Sequence, residues 1–149
     1  MGSRSVERPK AILRERIAGT SDAVQSHLRT LEGATRACEL DTDRSADMLI
    51  VLGEILNNIV EHAFTGSDDG WIVCTIHRHK DRFSVETRDN GAPLPPGLLT
   101  AGPLPDIDTT LDDLPEGGFG WFIVHTLTDD MIYERRRGQN RLTFSLALP

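Results

Sequence analysis

The stretch from about Ser45 to Phe64 constrains the fold more than any other part of this chain. Met48, Leu49, Leu52, Ile55, Leu56, Ile59, Val60 and Ala63 recur at helical spacing, which predicts an amphipathic helix of some twenty residues. A stripe that wide has to be buried against another layer. The remaining face carries Glu54, Asn58 and His62 at i, i+4 and i+8, so the three stack in one row, flanked by Asn57 and Glu61. Asn costs ~0.5 kcal/mol against Ala inside a helix, so two adjacent Asn residues need a reason. One reading is a solvated polar face. The other is a metal-phosphate site, because an Asn amide oxygen is a neutral, hard ligand suited to Mg²⁺. A carboxylate one turn earlier can then accept a proton from an attacking hydroxyl.

The rest of the chain reads as short elements around that helix. Ile12–Ala18 suits an edge strand after a loose segment, residues 1–11. Ser21–Cys38 suits a first helix, with Thr20, Ser21 or Asp22 as cap and Val24, Leu28 and Leu31 as its apolar stripe. Trp71–His77 and Phe83–Arg88 have strand composition and alternation, with a turn at His79–Arg82. Phe119–Leu127 is a short apolar helix opened by glycines. Met131–Arg136 and Leu142–Leu148 form a closing pair of strands, turning over Arg137–Arg141. This order predicts a single α+β domain over 12–149, a two-layer sandwich whose mainly antiparallel sheet is covered on one face by helices. Between Asp89 and Gly118 the chain is rich in Pro, Gly and Asp and has no clear period. A loop of that length inside a compact domain points to a functional lid, placed at about residues 92–117.

Charge removes several functions. The formal net charge is -7 over 149 residues, with a pI near 5.1. That argues against a generic nucleic-acid binder and against docking on an anionic membrane. Cys38 and Cys74 stand far apart in no CxxC pattern, which disfavours zinc and a disulfide framework; both suit reduced, buried positions. The first ten residues lack the apolar run of a secretory signal, and no stretch approaches the roughly 20 residues needed to span a bilayer. The expected compartment is the cytosol.

Two glycine-bearing turns carry the remaining chemistry. Asp89-Asn90-Gly91 follows directly on a strand, where a carboxylate can accept a hydrogen bond from an exocyclic amine such as that of adenine. Gly91 would let the backbone approach the base. An ordinary Asp-Asn-Gly turn explains the same residues. Gly117-Gly118-Phe119-Gly120 opens a helix, leaving N–H groups free at its positive end, which suits phosphate; a flexible helix entry explains it equally.

In this order and spacing the three elements resemble the N box and the two glycine boxes of GHKL-type ATPases and kinases, over about residue 12 to the C-terminus. Within that family, Glu54-Ile-Leu-Asn57-Asn58-Ile-Val-Glu61-His62-Ala-Phe64 and the segment from Gly117 to the pair Asp129-Asp130 are similar to the anti-sigma-factor serine kinases. The resemblance implies ATP and Mg²⁺ as cofactors, with Asn58 on the metal, Glu54 as base and Asp89 reading adenine together with Thr143 on the last strand. Gly91, Gly118 and Gly120 would shape the pocket. It implies phosphoryl transfer to a serine of a STAS-type anti-anti-sigma protein and sequestration of a sigma factor or similar regulator, and it is compatible with a homodimer. One departure stands out: there is no Lys or Arg from Asp89 through Glu134, where the family usually places basic residues near the phosphates. A nucleotide-gated binding module without transfer is the alternative this favours. Ser26-His27-Leu28 lacks the acidic residue of a phospho-acceptor histidine motif and is read as structural.

Overall fold

A computed structural model describes residues 8–38, 42–64, 69–95 and 118–148. Strand β1 spans Lys10–Ala18, followed by helices α1, Ser21–Ala37, and α2, Thr42–Ala63. Strands β2, Trp71–Arg78, and β3, Arg82–Asp89, come next. Helix α3, Gly118–Leu127, and strands β4, Asp129–Arg136, and β5, Gln139–Ala147, complete the described part. The expected α+β sandwich is therefore present. Among the described residues the sheet has five strands in the order β1-β2-β3-β5-β4, and every pairing is antiparallel.

Strand alternation decides which face the helices cover. Ile72, Cys74 and Ile76 of β2, Phe83 and Val85 of β3, and Leu142, Phe144 and Leu146 of β5 all point inward and are buried. They meet Met48, Leu52, Ile55, Leu56 and Ile59 of α2 in one core. Each Leu or Ile sealed there contributes roughly 2–5 kcal/mol against truncation to Ala. Thr20 caps α1, its hydroxyl accepting from the Ala23 amide at 3.2 Å. Phe64 lies between two glycines. A Cβ at Gly19 or at Gly70 would come within 2.5 Å of its ring, and the Gly19 amide bonds the Gly70 carbonyl at 2.8 Å. The aromatic at the end of the helical motif thus fastens α2 to the start of β2.

Several boundaries differ from expectation. Helix α2 starts at Thr42 rather than Ser45, and β1 starts at Lys10. The larger correction concerns the last hairpin. Its turn is not Arg137–Arg141 but the pair Arg137-Gly138, with φ of 53° and 75°. Two left-handed residues give a tight turn that keeps the strand twist, so β5 begins at Gln139 and pairs from there. Cys74 is buried as expected, and burial with the nearby Glu15 charge pushes its thiol up to about 12; Cys38 is only half-buried. Among the described residues no helix is long and apolar enough to cross a membrane.

Candidate functional site

The end of β3 is held against the end of α2 by backbone contact. The Ala92 amide donates to the Ala63 carbonyl at 2.9 Å, and a Cβ at Gly91 would fall 2.5 Å from the Ala63 Cβ and 2.6 Å from its carbonyl oxygen. Only glycine fits there without a shift. Asn90 closes the turn on its other side by accepting from the Trp71 amide at 2.8 Å. Ala63 lies five residues beyond Asn58, or ~7.5 Å along the helix axis. The fold therefore brings the Asp89–Gly91 turn and the polar row of α2 into one neighbourhood.

Asp89 is 1% exposed. Its Oδ1 accepts from the Gly91 amide and from Asn140 Nδ2, both at 2.9 Å, and no bond from a described residue falls on Oδ2. The carboxylate is thus oriented, with one oxygen left as an acceptor. Burial raises its pKa above the ordinary carboxylate value, while the Asn140 and Gly91 bonds and the Arg135 charge pull it down. Asn140 is itself 1% exposed. Its Nδ2 also donates to the Ala92 carbonyl at 2.7 Å, and its Oδ1 accepts from the Tyr133 hydroxyl and from Arg135 Nη1. Arg135 reaches the Gly91 carbonyl at 2.9 Å, and the Leu94 amide donates to the Tyr133 hydroxyl at 3.2 Å. Three residues of the closing hairpin therefore clamp the backbone from Asp89 to Leu94.

Asn58 is buried, and its Nδ2 donates to the Glu54 carbonyl at 2.7 Å. With the amide nitrogen tied back, the side-chain oxygen is the atom left to meet a cation. Glu54 and His62 are half-buried, and Asn57 and Glu61 are exposed. No group of three His, Cys, Asp or Glu side chains able to hold a metal occurs among the described residues. A divalent ion here would take one protein oxygen and fill its shell from phosphate and water, the habit of Mg²⁺.

Not every expected residue joins this site. Gly118 and Gly120 lie in the first turn of α3, while most of the expected lid, residues 96–117, lies outside the described residues, as do residues 1–7. Thr143 is a correction. Asp89 pairs across the ladder with Asn140, so Thr143, three residues on, points to the opposite face of the sheet, where it lines a cavity with Glu86 and Arg88. Period-two alternation excludes it from the Asp89 cluster. The partner on the last strand is Asn140. The misplaced hairpin turn hid it, because Asn140 then read as a turn residue. Tyr133 and Arg135 carried no motif signal. His27 is fully buried under β1, 3.3 Å from Glu15, which fits its structural reading.

The class follows from this arrangement: a helix-covered antiparallel sheet with an Asn-bearing helix docked on an Asp-x-Gly turn. The family of histidine kinase-like ATPase domains matches residues 17–146, and the chain belongs to it. Among its relatives, the serine-protein kinase RsbW of Bacillus mycoides (strain KBAB4) is 33% identical over 104 residues, 68% of this chain and 64% of that protein. The serine/threonine-protein kinase BtrW of Bordetella bronchiseptica is 36% identical over 92 residues, 62% of this chain and 63% of that protein. The matched part thus spans under two thirds of either relative. The crystal structure of the RsbU and RsbW domains of Rv1364c from Mycobacterium tuberculosis superposes with a TM-score of 0.60 at 14% identity, covering 95% of this chain and 33% of that one, a likeness of fold.

Proposed function

We propose that this domain binds Mg·ATP and transfers its γ-phosphoryl group to a serine of a STAS-type antagonist protein, while sequestering a sigma factor or similar regulator in the cytosol. The observation that carries the reading is the double anchoring of Asp89 Oδ1 by Gly91 and Asn140, on a turn bonded to the end of the Asn58 helix. Asp89 Oδ2 accepts from the adenine amine. Asn58 holds Mg²⁺ through its amide oxygen, and the ion supplies positive charge against the phosphates. Gly118 and Gly120 open α3, whose free N–H groups face the phosphate chain. Glu54 takes the proton of the attacking serine hydroxyl as the oxygen–phosphorus bond forms and the bond to the β-phosphate oxygen breaks, releasing ADP.

The kinase names of RsbW and BtrW support this reading, as does the family's ATPase fold. Incubation with labelled ATP and a STAS-domain protein should label a serine in the presence of Mg²⁺, and Glu54→Gln should lower the rate by about 10²–10⁴-fold, the usual worth of a positioned base. Full transfer by the variant would remove Glu54 from the role.

A second reading keeps the nucleotide and drops the transfer. The stretch without Lys or Arg from Asp89 through Glu134 favours it, since phosphoryl transfer relies on positive charge at the transferring group. It predicts nucleotide-dependent retention of a partner and no labelled serine.

A further inference from the structure

The face of the sheet turned away from Asp89 concentrates arginine on a chain whose net charge is -7. Arg88, Arg136, Arg137 and Arg141 line one cavity of about 510 Å³ around the β4–β5 hairpin. A second cavity of about 510 Å³ adjoins it over the middle of the sheet, sharing Arg88 and Gln139 and adding Arg14 and an apolar floor from Trp71 and Val73. Two carboxylates sit among these groups. Glu86 accepts from Arg88 at 2.7 Å and from Arg141 at 2.9 Å, and Glu134 accepts from Arg141 at 3.3 Å. The Arg136 and Arg137 side chains make no hydrogen bond or ion pair among the described residues, so the surface keeps surplus positive charge. The Arg137-Gly138 turn is tight and left-handed, which presents the hairpin arginines from a preformed support.

We propose that this outer face docks an acidic segment of a protein partner. Carboxylates of the segment engage Arg136 and Arg137 at the hairpin and Arg14 across the sheet, and an apolar side chain rests on Val73 beside Trp71, whose ring carries the Arg16 guanidinium 4.9 Å from its centroid. Guanidinium forks match carboxylates two bonds at a time, and surplus charge opposite to the rest of the surface steers an acidic partner to this face. A nucleic-acid backbone fits worse. Its charge every ~1.7 Å would meet Glu86, Glu134 and the acidic remainder of the chain. A second copy of the same face would bring arginine against arginine. The Asp89 and Asn140 side chains bond each other on the other side of the sheet, although Asn140 also borders the hairpin cavity, so the docked arginines lie outside the Asp89 cluster. The proposal does not depend on the nucleotide reading.

The test is fluorescence anisotropy with a labelled oligoglutamate peptide as probe and the full chain as receptor. Arg136→Glu should weaken binding by about tenfold or more, with the wild-type interaction fading as salt rises to ~0.5 M. Lys80→Glu is the charge-matched control. It lies in a separate basic cavity of about 320 Å³ with Arg8, Lys10 and Arg78, and it should leave binding nearly unchanged. Arg136 is exposed, so the variant should unfold at the wild-type temperature and keep wild-type ATP affinity. Equal losses from Lys80→Glu and Arg136→Glu would reduce the effect to diffuse charge and overturn the proposal. So would a wild-type chain that ignores the peptide, an oligothymidylate that competes as well as oligoglutamate, or a wild-type dimer that Arg136→Glu dissociates.

Discussion

Two polar clusters share β5 and are built in opposite ways. Asn140 points inward, 1% exposed, and ties Asp89, Tyr133, Arg135 and the 89–94 backbone into one network. Arg141, the next residue, points outward into an exposed ladder with Glu86 and Glu134. Both clusters are rich in bonds, yet they do different work. In the buried network a lost partner leaves a polar group dry, at roughly 1–3 kcal/mol. In the ladder, water and salt replace a lost partner at little cost. The inner cluster therefore fixes geometry, and the outer one leaves charge available.

The contrast is broken most severely at Gly91. Gly91→Ala drives a Cβ into Ala63, so the turn has to leave α2 or α2 has to shift. A stability loss of about 1–3 kcal/mol is expected, as for other overpacked contacts, together with loss of ATP binding. Denaturant unfolding and calorimetry on one preparation would check both. Unchanged values would mean the contact is slack.

Acidity sharpens the comparison next. The raised pKa of Asp89 means that its carboxylate protonates above the ordinary range as pH falls, and Oδ2 then stops serving as an amine acceptor. ATP affinity should accordingly drop on acidification before ordinary exposed carboxylates titrate. Asn140→Leu removes a bond that favours the charged form, so the acid limb should move to higher pH still. Stability carries the opposite sign. The folded pKa lies above the unfolded one, so the Asp89 contribution weakens as pH rises through that window. Affinity measured against pH for both proteins would decide the matter, and superimposed acid limbs would count against a positioning role for Asn140.

The smallest effect belongs to the outer face. Glu86→Gln cuts the link between Arg88 and Arg141, both exposed. Its melting temperature should move less than that of Asn140→Leu and still less in high salt. A larger shift than Asn140→Leu produces would erase the distinction between the two faces.

Much of this was legible in the residues. The apolar period of α2, the strand alternation and the α+β order all survive in the fold, because burial of one face leaves its period in the chain. Asp89 and Gly91 were readable as a turn, and the structure adds why Gly91 is needed: Ala63 is the neighbour, a contact across 28 positions that no local pattern records. Asn140 was hidden by a turn of Arg137-Gly138, since Arg is not a residue that announces a left-handed position. Thr143 came from the family resemblance alone, and the alternation of buried Leu142, Phe144 and Leu146 sets it on the outer face. With β5 starting at Gln139, the same alternation carries Asn140 to the inner face. Tyr133 and Arg135 act through hydrogen bonds between strands, which sequence spacing does not show.

The central claim is that one nucleotide bridges Asp89 and the Asn58 row of α2. Calorimetric titration of ATP with and without Mg²⁺ into wild type, Asp89→Asn and Asn58→Ala tests it most directly. Asp89→Asn should weaken binding about 10- to 100-fold whether or not Mg²⁺ is present, the value of a lost bond to a charged group, while Asn58→Ala should abolish the gain from Mg²⁺. Wild-type affinity in both variants, or a Mg²⁺ effect that survives Asn58→Ala, would contradict the account.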